Sequence, residues 1–297
     1  MKKASLSDQM KEKATKPVEK EPDFQGNFST VISTGSTLLD LAISGKRIRG
    51  GAIPGGVMLV VYGPSQSGKT ALLSEIAGNI LNSSGDVQFH DPESRLDQEF
   101  ASIFGMRIKE DNYHTPDLIP EVFKAMREWK PENKDVVNGI FADSLAALST
   151  ITEMENDEGD KMGGRRAKEF SQELRKHARI IKDKNYIFAC SNQIREKMDA
   201  QKFESKVTFP GGKALWFYSS IVIRFNTPEK IYKEIVIEGK KVKKEVGIEV
   251  ELVVEKSVDA PYRKAPLIIM YGYGIDDIRA NLQYVKDYKN LNTYQVN

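Results

Sequence analysis

The chain has 297 residues, of which 40% are hydrophobic and 29% are charged, and its net charge is +2. These values are ordinary for a globular protein, and the small net charge means that any binding of nucleic acid must depend on local basic patches. One cysteine, Cys190, excludes an intrachain disulfide framework and is typical of a reducing compartment. Because no apolar stretch is long enough to span a membrane and the Lys-rich start lacks an apolar signal region, we expect a cytoplasmic protein without a membrane partner.

Composition divides the chain into three parts. Residues 1–27 are rich in Lys and Glu and poor in large apolar side chains, which predicts a flexible N-terminal arm. Residues 28–275 contain the apolar runs of one core domain. Residues 276–297 are predicted to form a short helical tail.

The core alternates short apolar runs with helix-like stretches. The runs with strand character are VMLVVYG (57–63), DVQFHD (86–91), GIFADS (139–144), YIFACSN (186–192), SIVIRF (220–225) and LIIMYGYG (267–274). Continuous apolar strands separated by helices predict an α/β fold, with a mostly parallel central sheet and helices on both faces. Residues 230–257 alternate around EGKK instead and predict an antiparallel hairpin at the sheet edge.

The segment GPSQSGKT has the spacing G-x-x-x-x-G-K-[ST] of a phosphate-binding loop, and it lies between a predicted strand and a predicted helix. Gly63 and Gly68 allow the backbone to wrap an anion, and the freed amides supply partial positive charge together with the helix N-terminus. We expect Lys69 to reach the outer phosphates of a nucleotide and the Thr70 hydroxyl to hold Mg²⁺. The nucleotide-binding residues predicted in this loop are Gly63, Pro64, Ser65, Gln66, Ser67, Gly68, Lys69 and Thr70.

Polar residues follow three further predicted strands. Asp143 ends the strand GIFADS, where a carboxylate can hold Mg²⁺ or its water shell, although a strand-end Asp can also simply cap a turn. Candidates for a base that activates water follow the strand before it, and spacing alone does not choose among His90, Asp91, Glu93 and Asp97. At the end of YIFACSN and just after it, three polar residues either sense a terminal phosphate or cap the loop, namely Asn192, Gln193 and Arg195.

Taken in order, these segments resemble the RecA family of ATP-dependent DNA recombinases. The segments that carry the resemblance are YGPSQSGKT, DPESRLD, ADSLAAL, GDKMG, SQELRK, NQIREK, PGGKALWFYSS and VVEKSVDAPYRKAPLIIMYGYGI. They extend from Ser33 to Leu282, which is nearly all of the chain that we expect to be ordered. The phosphate-binding loop alone is weak evidence for a family, because many nucleotide enzymes share it, whereas NQIR followed by GGKALWFYSS is strong evidence.

The resemblance implies a RecA-like P-loop ATPase core that uses ATP and Mg²⁺. It implies that Glu93 orients the attacking water, that Lys69 acts on the phosphates, and that Gln193 contacts the terminal phosphate and relays the nucleotide state to a DNA-binding loop. Asp143 and Ser144 match the metal and phosphate positions. Two residues match positions that contact the adenine, Asp97 and Phe100, and the alternative for Phe100 is a place in the core.

The resemblance also implies two DNA-binding loops, which match residues 150–166 and 196–212. On composition the first is a solvated acidic loop, and the second is long, with lysines and aromatic side chains suited to phosphates and bases. The residues expected to bind DNA are Arg165, Arg166, Lys168, Arg175, Arg195, Lys197, Lys202, Phe203, Lys206, Gly211 and Gly212. The helix between the loops is predicted to bury Phe170, Leu174, Ala178 and Ile181.

One segment departs from the family pattern. Bacterial members carry two lysines that reach the ATP of a neighbouring subunit, and the matching residues here are Glu255, Lys256 and Ser257. Lys256 is the candidate for that contact between subunits.

The function that the resemblance implies is that of a DNA-dependent ATPase that forms a helical filament on single-stranded DNA. Such a protein pairs the strand with homologous duplex DNA and exchanges strands in recombination and repair. One alternative is a RecA-like mediator or filament cap that exchanges no strands, and another is a helicase-type motor that assembles as a hexameric ring.

Overall fold

A computed structural model describes residues 30–45, 51–155, 162–193, 195–196, 207–208, 212–237, 240–257 and 263–289. The predicted N-terminal arm and residues 290–297 of the predicted tail lie outside the described residues. The same is true of residue 194, of residues 156–161 in the first predicted DNA-binding loop, and of residues 197–206 and 209–211 in the second.

Eight α-helices lie in the described part of the chain. In chain order they are α1 (Thr37–Ser44), α2 (Lys69–Asn82), α3 (Gln98–Ile103), α4 (Ile119–Glu128), α5 (Ile151–Glu155), α6 (Met162–Asp183), α7 (Gly212–Tyr218) and α8 (Asp277–Tyr288). A 3₁₀ turn spans Leu145–Ala147. The strands in chain order are β1 (Val31–Ile32), β2 (Ile53–Pro54), β3 (Val57–Gly63), β4 (Val87–His90), β5 (Tyr113–His114), β6 (Asn138–Ala142), β7 (Tyr186–Gln193), β8 (Arg195–Glu196), β9 (Val207–Thr208), β10 (Ile221–Phe225), β11 (Glu229–Ile237), β12 (Lys240–Lys256), β13 (Arg263–Met270) and β14 (Gly274–Ile275).

One large sheet organises the described part of the chain, with the strand order β14-β13-β12-β10-β3-β7-β6-β4-β5. The strands from β10 to β5 all run parallel, and β12, β13 and β14 extend the sheet in antiparallel fashion. The remaining strand, β11, pairs with the first half of β12 and forms the predicted edge hairpin. The structure therefore confirms an α/β fold with a mostly parallel sheet and an antiparallel edge.

Helices cover both faces of this sheet. All seven residues of β3 are buried, and its side chains alternate between two hydrophobic clusters. On one face Leu59 packs in a cluster with Leu72 of α2. On the other face Val60 packs in a cluster with Phe123 of α4 and Phe170 of α6. Burial on both faces explains why the central strands are continuous apolar runs in the sequence.

The predicted strands agree closely with the observed ones. β3 has the predicted bounds, and β4, β6, β7 and β10 differ from prediction by at most two residues at either end. The last predicted strand begins earlier, at Arg263, because its pairing with β12 extends to Val254. It also ends earlier, at Met270, where the chain turns through Gly272 with φ at +74°.

The longest helix, α6, corrects one prediction. Ala178 is exposed, and His177 is buried in its place, with its ring 5.1 Å from that of Phe123. The buried positions are Phe170, Leu174, His177 and Ile181, which follow the helical spacing of 3.6 residues per turn. A step of four residues from Leu174 gives Ala178, whereas the buried face continues at a step of three. α6 has a polar outer face, and none of the described helices is both long and apolar enough to cross a bilayer.

Gly78 provides a test of how closely α2 packs against the turn after α3. A Cβ atom at Gly78 would lie 1.8 Å from the carbonyl oxygen of Phe104, whereas one at Gly164 in α6 would have nothing within 4 Å. We expect Gly78→Ala to lower the free energy of unfolding by about 1–3 kcal/mol, because the turn after α3 must move away. The matched control, Gly164→Ala, should raise it by about 0.5–1 kcal/mol through helix propensity. Urea unfolding of both variants measures these changes, and equal stabilisation by the two would contradict the packing.

Candidate functional site

The segment between β3 and α2 forms a cradle of backbone groups. Gly68 has φ at +92° and directly precedes the first residue of α2. No side chain caps the N-terminus of α2 there. A Cβ atom at Gly68 would lie 2.4 Å from Cδ1 of Ile269, and one at Gly63 would lie 2.6 Å from Cβ of Phe225. Glycine is therefore required at both positions, and the uncapped helix N-terminus suits an anion such as a phosphate.

The Lys69 ammonium lies inside this cradle. Its Nζ atom donates to the carbonyl oxygens of Pro64 at 2.5 Å and Gly63 at 3.2 Å, and the residue is 9% exposed. Burial lowers the pKa of Lys69 from its ordinary value, and the nearby Asp143 and Glu93 carboxylates oppose that shift. The phosphate loop thus holds a poorly solvated cation, and poor solvation increases its attraction for a phosphate oxygen. The two neighbouring carboxylates favour the charged form of Lys69.

A buried carboxylate joins three elements at the carboxyl edge of the sheet. Asp143 follows β6, and its two oxygens accept hydrogen bonds from the Thr70 hydroxyl of α2, at 2.6 Å, and from the Ser191 hydroxyl of β7. Burial raises the pKa of Asp143, while the two hydroxyls and Lys69 oppose the shift. Carboxylate and hydroxyl oxygens are hard ligands of the kind that Mg²⁺ prefers.

The same residues allow a test of whether Mg²⁺ fits here. No group of three or more His, Cys, Asp or Glu side chains among the described residues is arranged to hold a metal. A magnesium ion beside Thr70 and Asp143 would therefore take its other ligands from phosphate and water, which is how Mg²⁺ is usually bound in nucleotide enzymes. The donor set fits Mg²⁺ with a nucleotide and does not form a metal site of its own.

The turn after β4 brings Glu93 beside the residues that follow β6. Its carboxylate accepts a hydrogen bond from the Ser144 hydroxyl at 3.1 Å and pairs with Arg95 at 2.7 Å. Ser144 directly follows Asp143, so the two carboxylates approach one region from neighbouring strand ends. Of the four acid and base candidates in the sequence, Asp91 and Glu93 line the cavity described below.

Asp91 stabilises the backbone of this turn. Its carboxylate accepts hydrogen bonds from the backbone amides of Glu93, Arg95 and Leu96, the last two at 2.7 Å. It also accepts one from the Tyr113 hydroxyl of β5 at 2.8 Å, and burial together with this bond raises the pKa of Tyr113, so the phenol remains a donor. The backbone that carries Glu93 is therefore fixed by a residue two positions earlier and by a tyrosine from another strand.

His90 lies on the other face of β4 from Phe89, which lines the cavity. It is 1% exposed and stacks on His114 with ring centres 5.0 Å apart. Burial, followed by the influence of His114, lowers the pKa of His90 to about 3. A neutral ring in this position is a packing residue, and the structure does not bring it to the candidate site.

A cavity of about 530 Å³ connects these groups. Beyond the phosphate loop it is walled by side chains that sequence reasoning did not select, Glu245, Ile248, Ile269 and Tyr271, which come from the antiparallel strands and the turn after β13. Phe100 also lines the cavity, and it packs against the hydrophobic cluster on that face of the sheet, so the adenine contact stays a prediction. Asp97 is absent from the lining described here, and its carboxylate caps α3 by accepting from the Phe100 amide at 2.9 Å.

The predicted DNA-binding residues fall into three groups. Arg165, Lys168 and Arg175 are exposed on α6, whereas Arg166 is partly buried and donates to the Ala146 carbonyl and the Glu153 carboxylate. For Arg195 and Gly212 the structure describes the backbone, in β8 and at the start of α7. Lys197, Lys202, Phe203, Lys206 and Gly211 lie outside the described residues.

The segment that departs from the family pattern is held within its own subunit. Glu255 pairs with Arg224 at 2.7 Å and accepts from the Tyr62 hydroxyl at 2.5 Å. Lys256 donates to the carbonyl oxygens of Trp216 and Phe217 at the end of α7, at 2.9 and 3.2 Å. Partial burial lowers the pKa of Lys256.

A glycine-lined phosphate cradle between a strand and a helix, beside a carboxylate that follows a strand two places away in the sheet, defines a P-loop nucleotide-binding protein with a RecA-like core. The RecA N-terminal domain family matches residues 12–276. Protein RecA of Staphylococcus aureus, in strains JH9, Newman and N315, is 33% identical over 258 residues, which cover 87% of this chain and 70% of the relative. The chain belongs to the RecA family.

The buried Asp143 carboxylate lowers the free energy of unfolding when it is ionised, and a substitution can remove this effect. Because its folded pKa lies above the ordinary value of 3.8, ionisation opposes folding, and stability falls as the pH rises through this range. We expect Asp143→Asn to melt a few degrees higher than the wild type at neutral pH without nucleotide, since about 1 kcal/mol corresponds to ~2–4 °C. The gain should disappear in acid, where the wild-type carboxyl is protonated.

Differential scanning calorimetry from pH 4 to pH 8 measures this difference. The exposed Asp135→Asn variant is the matched control and should leave the melting temperature unchanged. A lower melting temperature for Asp143→Asn at neutral pH would show that the ionised carboxylate stabilises the fold.

Proposed function

We propose that the protein is a DNA-dependent ATPase that assembles on single-stranded DNA and promotes homologous pairing and strand exchange with duplex DNA. The observation that carries the proposal is one cavity in which the phosphate loop, the Thr70–Asp143 pair and Glu93 face each other. Membership of the RecA family supports a general role as an ATP-binding protein of DNA recombination and repair.

In the proposed reaction the chain positions ATP and a water molecule. The phosphate-loop amides and Lys69 bind the phosphate oxygens and stabilise the negative charge that develops on them. Thr70 and Asp143 would hold Mg²⁺, which supplies further positive charge to the phosphates. Glu93 orients the attacking water, and its bond to Ser144 fixes the direction of its carboxylate.

Gln193 is the proposed link between nucleotide and DNA. It is the exposed last residue of β7 and lies opposite Gly63 of the phosphate loop in the sheet register. The chain then enters β8, which pairs with β9, and these two short strands flank residues 197–206 of the second predicted DNA-binding loop. Contact between Gln193 and a terminal phosphate would give the loop a different free energy in the ATP and ADP states, as coupling requires.

The proposed DNA contacts combine the second loop with the amino-terminal part of α6. α6 ends just before β7 begins, so its first residues lie toward the carboxyl edge of the sheet, where the nucleotide site is. Arg165 and Lys168 are exposed there and suit phosphate contacts. Arg175 lies ten residues after Arg165, which is about 15 Å further along the helix axis at ~1.5 Å per residue.

A mediator or filament cap that exchanges no strands is favoured by one observation. Glu255 stands where a lysine is expected to reach a neighbouring subunit, and it is already paired with Arg224. Lys256, in turn, donates to carbonyls of its own chain. Neither residue is then free to reach a neighbouring subunit in this arrangement. Electron microscopy with ATP and single-stranded DNA is the deciding observation: long filaments support the recombinase, and their absence supports the mediator.

Two substitutions separate nucleotide binding from hydrolysis. We expect Lys69→Ala to abolish ATP binding and, with it, the ATP-dependent part of single-stranded DNA binding. Glu93→Gln should bind ATP and DNA but hydrolyse ATP about 10²–10⁴-fold more slowly. Glu99→Gln, an exposed change on α3, is the control and should match the wild type. The proposed function fails if neither Lys69→Ala nor Glu93→Gln changes ATP turnover or strand exchange.

The support beneath Glu93 gives a second prediction. Removing the Tyr113 hydroxyl in Tyr113→Phe leaves the turn and its backbone bonds but loses one donor to Asp91. We expect kcat for ATP to fall about 2–10-fold, the equivalent of one hydrogen bond, with KM unchanged, because the phosphate cradle is untouched. Tyr186→Phe, whose hydroxyl contacts the distant Trp129 carbonyl at 3.4 Å, is the matched control. A rise in KM alone, or the same loss in both variants, would contradict a role in positioning Glu93.

A further inference from the structure

The hairpin of β11 and β12 projects beyond the body of the sheet. β13 pairs with β12 from Gly247 to Val254, so residues 240–245 of β12 pair only with β11 among the described strands. At about 3.4 Å per residue these six residues span roughly 20 Å. We call residues 231–237 and 240–246 the ribbon. Its base borders the nucleotide cavity, which Glu245 lines.

The two faces of the ribbon differ in charge. Residues directly opposite each other in an antiparallel pair share a face. Lys233 lies opposite Lys244, and Ile235 lies opposite Val242, so these residues share one face with Lys240. We call this the lysine face. The mixed face carries Tyr232, Glu234, Val236, Lys241, Lys243 and Glu245.

Charges on the mixed face are paired. Glu245 binds both Lys230 and the Tyr271 hydroxyl at 2.7 Å, and Lys241 lies 3.6 Å from Glu234. Lys243 lies opposite Glu234 in the register. Each lysine on this face therefore has a carboxylate nearby, and the face has little net charge to offer a partner.

Charges on the lysine face are not paired within the described part of the chain. Lys233, Lys240 and Lys244 are exposed, and no hydrogen bond or ion pair between described residues involves them. Like charges directly opposite each other destabilise a strand pair, so the Lys233–Lys244 arrangement opposes formation of the ribbon. An anionic partner along this face would remove that repulsion.

We propose that the lysine face binds the phosphate backbone of double-stranded DNA, as a DNA surface separate from the two predicted loops; the inference rests on the proposed function. Lysine ammonium groups suit phosphates as point charges. The apolar residues between them, Ile235 and Val242, are aliphatic, and without an aromatic ring the face offers no platform for unpaired bases. A two-stranded ribbon also matches the width of the major groove of duplex DNA.

A matched pair of double variants tests the two faces. Lys233→Gln with Lys244→Gln removes two charges from the lysine face, and Lys241→Gln with Lys243→Gln removes two from the mixed face. Duplex affinity of the full chain is measured by fluorescence anisotropy across a salt series with a non-hydrolysable ATP analogue. We expect the lysine-face variant to reduce the magnitude of the slope of log affinity against log salt by about 1.8, at ~0.9 for each phosphate contact. The mixed-face variant should keep the wild-type slope.

Two further arms identify what the lysine face recognises. Lys233→Arg with Lys244→Arg keeps the charge and should restore duplex binding. Single-stranded DNA affinity should be the same in all variants, because the loops are unchanged. Polyglutamate should compete with the duplex poorly, and competition equal to that of unlabelled duplex would point to an acidic protein instead and overturn the proposal.

The remaining outcomes separate this inference from the proposed function. Equal loss of duplex binding in both double variants, or no loss in either, overturns the inference alone. A wild-type protein that binds single-stranded DNA but no duplex also overturns the inference alone. A wild-type protein that binds neither overturns the inference and the proposed function together.

Discussion

The site depends on one buried carboxylate. Asp143 lies beneath the phosphate loop and accepts hydrogen bonds from Thr70 of α2 and Ser191 of β7. A buried charge without partners is costly, so the strand that carries it, the helix that begins at the phosphate loop and the strand between them must keep their relative positions. β3, β6 and β7 are buried along nearly their whole length, and a rigid sheet of this kind holds the three polar groups in place.

The antiparallel part of the sheet completes the cavity that the parallel part begins. Ile248 and Ile269 from β12 and β13 line the cavity beside the phosphate loop, and a Cβ atom at Gly68 would lie 2.4 Å from Cδ1 of Ile269. The same two strands lead outward to Tyr271 and to the ribbon. A nucleotide in the cavity would therefore contact both halves of the sheet, and the elements proposed to bind DNA begin at its borders, from Gln193 on one side and Glu245 on the other.

The sequence predicted the parts of the site that depend on local pattern. The phosphate loop, the strands around it and the strand-end Asp143 follow from spacing and apolar runs, and the resemblance to the RecA family selected Glu93 from four candidates. What it missed depends on contacts between distant segments. Tyr113 comes from a two-residue strand that no periodicity marks, and its contact with Asp91 exists only because β5 pairs with β4. Burial of His177 in place of Ala178 likewise depends on where α4 packs against α6.

The central claim is that the nucleotide in the cavity determines how tightly the protein holds DNA. The most direct measurement is the affinity of the wild-type protein for a labelled single-stranded oligonucleotide at one salt concentration, without nucleotide, with ADP and with a non-hydrolysable ATP analogue. A coupling free energy of the usual size predicts affinity about 5–150-fold higher with the analogue than with ADP. Equal affinity in all three states would contradict the account.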